Sequence, residues 1–204
     1  MKNILLIILA LALCLPALAQ EQDNERCVSN EIALSYGFHP VSGDDFLPDV
    51  PFFYYYLDKI GAFSGSYTHF FNKIVGVGGT YCFDYREIDY RHHGVNNYNP
   101  LVCNLYESCH SLMGHVKLNC INKKHFTLYV KADAGLCFWG YRLEEFQPDL
   151  FGVNLPTKHC CFAWQAAAGV EVGNDRIAGF LQWGVGMEGN YNLGIRYKFK
   201  NRAQ

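Results

Sequence analysis

The stretch VGVGGTYCFDYR, from Val75 to Arg86, alternates between two kinds of residue along its whole length. Its odd-numbered positions are mostly aliphatic or aromatic, and its even-numbered positions are small or polar. Successive side chains of a β-strand point to opposite faces of the sheet. A period of two therefore predicts a strand with one apolar and one polar face.

The same alternation recurs in other segments, at residues 31–38, 63–68, 111–119, 126–135, 162–172, 181–188 and 191–199. Apart from residues 51–60, which allow a helix, the remaining sequence has no helical period. The alternating segments predict an all-β fold of about eight strands. We expect a single closed, antiparallel, up-and-down transmembrane β-barrel.

The predicted connections alternate in length. Those at residues 72–73, 121–124 and 173–175 are short, whereas those at 39–61, 87–110 and 143–158 are long. In an antiparallel meander every second connection lies at the same end of the sheet. Short periplasmic turns and long outer loops are typical of outer-membrane barrels, although the link at residues 188–190 is short at the long-loop end.

The polar face of the predicted strands carries charges of both signs. Because charged side chains cannot face hydrocarbon cheaply, in a membrane they must point into the barrel and pair there. Eight strands enclose an interior just wide enough for side chains, which predicts a plugged lumen rather than a pore. The charged residues are Glu31, Asp84, Arg86, Lys117, Lys131, Asp133, Glu171, Arg196 and Lys198.

The N-terminus has the three parts of a secretory signal peptide. Lys2 precedes an apolar run over residues 4–13, and a small-x-small motif ends at Ala19. We predict cleavage between Ala19 and Gln20, which makes residues 1–19 the signal peptide and 20–204 the barrel domain. A lipoprotein signal at Cys14 is the alternative, but the residue before that cysteine is not small.

Composition narrows the class of protein further. The chain is 50% hydrophobic and 18% charged, with a formal net charge of −2. Such a charge gives no basic field to attract nucleic acid, so no nucleic-acid partner is expected. After Ala19 no apolar run is long enough for a membrane helix, which again favours alternating strands.

The last predicted strand carries the pattern Asn192-x-Gly194-x-x-Tyr197-x-Phe199. It resembles the C-terminal assembly signal of bacterial outer-membrane proteins, although residues 200–204 follow the final aromatic. The chain resembles the small eight-stranded barrels of the OmpA, OmpX and OmpW type, and the sequence at 41–46 resembles barrels of the Bacteroidota. The resemblance implies the cell outer membrane, contact with lipid and lipopolysaccharide, the barrel assembly machinery as partner, and a monomer.

Candidate chemical sites are few, and we predict no catalytic, cofactor-binding or metal-binding residue. Cys103 and Cys109 share a predicted loop and are candidates for a disulfide, but with His110 they match no standard zinc spacing. The adjacent Cys160 and Cys161 should point to opposite faces of a strand. The other cysteines, Cys82, Cys120 and Cys137, are interpreted as small hydrophobic residues.

Three functions are compatible with these observations. The first is a non-enzymatic outer-membrane barrel with a structural or surface-interaction role. The second is a soluble, exported, lipocalin-like barrel whose apolar face lines a ligand cavity. The third is a membrane enzyme acting on lipid A, but the His-x-Ser pair of such deacylases is not in the sequence. The aromatic run at 51–57 is interpreted as part of the interfacial girdle or, alternatively, as a partner-binding segment.

Overall fold

A computed structural model describes residues 29–40, 53–92, 101–123, 125–145 and 158–200. Each strand pairs antiparallel with the next, and the last pairs with the first, so the sheet closes into a barrel as predicted. Among the described residues, no helix is long and apolar enough to cross a membrane. The strands are β1 (Ser29–Phe38), β2 (Phe53–Phe70), β3 (Val75–His92), β4 (Leu101–Lys123), β5 (Phe126–Glu145), β6 (Lys158–Gly173), β7 (Ile177–Gly186) and β8 (Tyr191–Lys200).

Tight turns join β2 to β3, β4 to β5 and β6 to β7, all at one end of the barrel. Two of them are held by an asparagine side chain that folds back on the chain. Asn72 Oδ1 accepts hydrogen bonds from the amides of Ile74 and Val75, and Asn174 does the same for residues 176 and 177. Asn is favoured in turns because its side chain can replace a backbone acceptor in this way.

The barrel proper is polar inside and apolar outside. Leu34 and Ile195 are 68% and 65% exposed on the outer face, whereas Lys117 and Glu171 are each 1% exposed in the lumen. A soluble barrel that carries an apolar ligand has the opposite arrangement. The two faces therefore lie as the alternation predicted, and they are not reversed as the lipocalin-like alternative requires.

The barrel wall is uneven in height. Strands β1, β7 and β8 have 10 residues each, but β4 has 23 and β5 has 20. β2 pairs with β1 only from Ala62 onward, and β6 pairs with β7 only from Gln165 onward. Past these points β2–β6 continue as an open sheet, called here the extended sheet (residues 53–61, 85–92, 101–108, 140–145 and 158–164).

The extended sheet corrects several predictions. Residues 53–61 of the predicted loop 39–61 and residues 87–92 and 101–110 of the predicted loop 87–110 are strand, as are 143–145 and 158 at the ends of the loop 143–158. Residues 53–60 are therefore strand rather than helix. The alternation changes sign here, because Ile88 and Leu105 are buried on the inner face while Glu87 and Arg142 lie on the outer one. The sequence prediction assumes that apolar residues face outward along the whole strand, so it ends each strand where the apolar residues move to the inner face. Residues 41–52, 93–100 and 146–157 lie outside the described part of the chain.

Candidate functional site

A cluster of charged side chains fills the end of the lumen nearest the tight turns. Lys117 Nζ lies 2.7 Å from Glu31 Oε2 and 3.6 Å from Glu171 Oε2. Arg196 Nε lies 3.4 Å from Glu31 Oε2, and its guanidinium also contacts Glu171. Lys198 makes a second contact with Glu171. Because the charges are desolvated, this mutual pairing is what allows them to stay buried.

Aromatic rings from the barrel wall support the two most deeply placed cations. The Tyr129 ring centroid lies 4.5 Å from Lys117 Nζ and 4.9 Å from Arg196 Cζ. Phe180 lies 4.6 Å from the same guanidinium, and Phe70 lies 5.2 Å from the ammonium. Ring faces carry negative electrostatic potential, so these contacts add to the carboxylate pairing.

A second charged group occupies the middle of the lumen. Lys131 Nζ lies 2.6 Å from Glu188 Oε1 and 3.0 Å from Asp133 Oδ1. Thr80 donates its hydroxyl to Asp133 at 2.8 Å and lies 2.9 Å from His115 Nδ1. His115 and Asp133 resemble a catalytic pair in composition only, because both side chains are fully buried and bonded to the wall.

The two groups together are electrically neutral. Four cations face four carboxylates, so the formal charges cancel, and their side chains are buried or nearly so. These residues are Lys117, Lys131, Arg196 and Lys198, with Glu31, Asp133, Glu171 and Glu188. The placement of all nine predicted charges on the inner face is confirmed, and Glu188, the last polar position of the alternating segment 181–188, lies there too, as does Glu107.

Glu188 enters the lumen because the β7–β8 turn folds into it. The Gln165 side chain accepts a hydrogen bond from the Glu188 backbone amide at 3.0 Å and donates one to the Gly189 carbonyl at 3.1 Å. Gly186 and Gly189 adopt φ of 138° and 103°, which only glycine adopts without strain. Gly37 on the facing wall leaves the space, since a Cβ there would collide with the Glu188 carbonyl. The short link at the long-loop end is thus a cap over the charged lumen.

Above this turn the lumen holds an apolar cluster rich in sulfur, next to the buried and paired charges of Asp84, Arg86 and Glu107. Met187 packs there with Met113, Trp139 and wall residues that are small. Cys137 and Cys161 are directly opposite each other on β5 and β6 and form a disulfide. The other members of the cluster are Ala62, Cys82, Cys109 and Ala163.

The cysteine predictions are partly wrong. Cys109 is a buried free thiol on β4, so it is not bridged to Cys103. Cys137 and Cys120 are disulfide-bonded rather than free hydrophobic residues. Cys160 is exposed while the neighbouring Cys161 packs inward, as their adjacency predicted. Among the described residues, no group of three His, Cys, Asp or Glu side chains could hold a metal ion.

The predicted assembly residues all lie on β8. Asn192 and Gly194 belong to its inner face, where the Phe180 ring covers the glycine. Tyr197 and Phe199 belong to the outer face near the tight-turn end, with ring centroids 6.1 Å apart. The structure places these residues but does not test their recognition. The predicted cleavage site at Ala19 and Gln20 lies outside the described residues.

Neither a protein-family model nor a curated protein matches the sequence. Solved structures that resemble the chain are small eight-stranded outer-membrane barrels. Ail, the attachment invasion locus protein of Yersinia pestis, is 14% identical, with 84% of this chain and 99% of that chain covered and a TM-score of 0.47. The outer membrane protein OprG from Pseudomonas aeruginosa is 10% identical, with 87% and 98% covered and a TM-score of 0.49.

The N-terminal β-barrel domain of Pseudomonas aeruginosa OprF is 14% identical, with 84% of this chain and 97% of that chain covered and a TM-score of 0.40. At these identities and TM-scores the likeness carries no argument about function. The eight-stranded closure rests on the strand pairing of this chain itself. The expected resemblance to Bacteroidota barrels receives no support from these structures.

Proposed function

We propose that this chain is a non-enzymatic outer-membrane barrel, plugged by its own side chains, whose role is structural or surface-interacting. The observation that carries the proposal is the polarity of the barrel proper. Charged side chains are buried and paired in the lumen, while the outer face exposes large apolar residues. Such an arrangement is costly in water and favourable in a bilayer.

The orientation follows from the two ends of the barrel. The tight turns between β2 and β3, β4 and β5, and β6 and β7 face the periplasm, and the extended sheet stands on the outer side. On β3, β4 and β5 the outer face of that sheet carries Glu87, Asn104, Arg142 and Glu144, as a surface in water requires, although Phe162 and Trp164 of β6 remain exposed and apolar. Insertion by the barrel assembly machinery and a monomeric state are part of the same proposal.

We propose that the protein is not an enzyme because its paired polar groups are buried in the lumen. The His115–Asp133 pair is enclosed by the wall and its hydrogen bonds are made within it. A catalytic base must come within hydrogen-bond reach of a substrate proton, which this enclosure prevents. The lipid A-modifying alternative would need a nucleophile and base on the outer face. His110 lies there against Tyr81, but the neighbouring Ser111 is buried on the inner face.

The test is fractionation followed by gel migration and conductance. The protein should stay with the outer membrane after a carbonate wash and should migrate differently before and after boiling, because a closed sheet resists detergent. In planar bilayers it should show no stable conductance steps, with a porin as the positive control. Release by carbonate would favour a soluble exported barrel, and steady conductance would contradict the plugged lumen.

A further inference from the structure

The outer face of the extended sheet has a shallow pocket at its foot. The cavity measures about 420 Å³. Its wall is built from three neighbouring strands, with Tyr85 on β3, Tyr106 and Ser108 on β4, and Gly140, Tyr141, Arg142 and Glu144 on β5. Tyr141 also packs against the sulfur-rich cluster, and none of these residues belongs to the two charged groups of the lumen.

An aromatic wall and a polar wall face each other across this pocket. Tyr85 and Tyr106 stack with ring centroids 6.3 Å apart and an interplanar angle of 24°. Arg142 Nη2 lies 2.8 Å from Glu144 Oε1, and both side chains remain open to solvent. Flat aromatic surface beside a paired donor and acceptor suits a sugar, whose C–H face packs on a ring while its hydroxyls bond to charged groups.

Gly140 keeps the floor of the pocket open. A Cβ at this position would lie 3.0 Å from Ser108 Oγ, so a side chain here would project into the space between the two walls. Ser108 also donates its hydroxyl to the Gly140 carbonyl at 3.5 Å. A bulky residue at position 140 would therefore block the pocket while leaving both walls in place.

The height of the pocket points to its occupant. The outer-face rows directly below it are rich in aromatic and aliphatic side chains: Phe83, His110 and Phe138, then Tyr81, Leu112 and Leu136. The upper rows of the pocket itself are polar and carry Glu87, Asn104 and Glu144. If the apolar rows lie in the bilayer, as the proposed function requires, the pocket lies at the headgroup level of the outer leaflet.

We propose that this pocket binds a sugar of the glycolipid in the outer leaflet, that is, the saccharide headgroup of lipopolysaccharide. Tyr85 and Tyr106 stack on the sugar ring, and Arg142 and Glu144 bond to its hydroxyls. The inference rests on the proposed membrane location. It assigns to the outer face a specific binding site for the glycolipid that would surround the protein there.

The experiment uses the full chain in detergent and native mass spectrometry with added rough-type lipopolysaccharide. The bound fraction should be high for the unaltered protein and should fall about tenfold or more for Gly140→Leu and for Tyr85→Leu/Tyr106→Leu. Arg176→Gln, in an exposed turn at the opposite end, is the matched control and should bind normally. Heat-modifiable migration shows separately that each variant has the barrel fold.

Two competitors define the ligand class. Phosphatidylglycerol should not displace lipopolysaccharide, and soluble chitotetraose should bind far more weakly than the glycolipid. Equal binding by folded Gly140→Leu would overturn the proposal, as would full displacement by phosphatidylglycerol or a preference for the soluble sugar. A protein that fails to fractionate with the outer membrane would instead contradict the proposed function on which the site depends.

Discussion

Glu188 shows how a single side chain ties the last turn to the barrel wall. It bonds to Lys131 at 2.6 Å and to the Gln182 amide at 3.2 Å. We expect Glu188→Ala to destabilise the barrel by about 3–5 kcal/mol, because it leaves the Lys131 charge buried without its main partner. Urea unfolding followed by gel migration measures the change.

The double substitution Lys131→Met/Glu188→Met is the control for this prediction. It removes the charges of Lys131 and Glu188 and keeps the volume, while Asp133, which loses Lys131, keeps its hydrogen bond from Thr80, so the double variant should cost less than Glu188→Ala alone. A double variant that is less stable than the single one would mean that the ion pair itself, rather than the isolated charge, decides the stability.

Position on the outer face should decide the cost of a charge. Val116 is exposed near the middle of the apolar rows, whereas Phe126 starts β5 beside a tight turn. We expect Val116→Arg to cost about 2–4 kcal/mol and Phe126→Arg about 0–1 kcal/mol, since the penalty falls toward the interface. The same unfolding measurement compares them, and equal costs would contradict a bilayer around this face.

The residue scale also shows where sequence reasoning succeeds. Lys117, Glu171 and Arg196 each lie between apolar residues in their strands, so when the apolar neighbours face outward these three point into the lumen. This alternation is visible in the sequence. Glu188 falls at a polar position of the predicted strand 181–188, but β7 ends at Gly186, and a turn that folds into the lumen carries this side chain inside. The Cys137–Cys161 pairing needs the register of two strands, which spacing alone does not fix.

At the scale of the element, the disulfide joins β5 to β6 near the outer end of the barrel. Its cysteines are separated by 24 residues, and for a loop of that size the chain-entropy estimate is about 3 kcal/mol. We expect Cys161→Ala to lower the free energy of unfolding by an amount of this order. The adjacent Cys160→Ala, on the exposed face, should change little, and an equal loss in both would assign the effect to packing.

The final strand tests the predicted assembly signal. Tyr197→Ala/Phe199→Ala should leave export intact and lower the amount of heat-modifiable protein in the outer membrane, because it removes the interfacial aromatics together with the expected recognition element. Tyr191→Ala/Leu193→Ala, at the other end of the same face, should assemble better. Deletion of residues 201–204 should have little effect, and failure of that truncation would assign the signal to the chain end.

The strands of the extended sheet were harder to predict than those of the barrel. In the rows of the barrel proper an apolar residue points outward, as at Tyr81 and Phe83. Farther along β3 the buried residue is Ile88, and the outward ones are Glu87 and Asp89. The period of two continues along the strand, but the apolar residues move from the outer face to the inner face. A pattern that expects apolar residues on the outer face therefore identifies only the part of each strand that belongs to the barrel proper.

At the scale of the whole molecule, orientation can be tested by insertion. An epitope between His93 and Gly94 should be reached by antibody on intact cells, because that link joins two strands of the extended sheet on the outer side. An epitope between Asn72 and Lys73 should be reached only after permeabilisation, because the proposed orientation places that turn in the periplasm. The reverse pattern of labelling would contradict the proposed orientation.

On β3, β4 and β5 the outer face changes from apolar, at Phe83 and Phe138, to polar, at Glu87 and Arg142, and in the proposed orientation this change marks the edge of the bilayer. The row of Tyr85, Ser108 and Gly140 lies between them, so moving the barrel by two rows, about 10 Å for tilted strands, would either place Glu87 and Arg142 in hydrocarbon or expose Phe83 and Phe138 to water. Both displacements are unfavourable, so the pattern of outer-face residues would fix the depth at which the barrel sits in the membrane. A bilayer whose hydrocarbon thickness differs from the height of the apolar rows would have to thicken or thin around the protein, because the barrel could not shift along the membrane normal without one of these two costs.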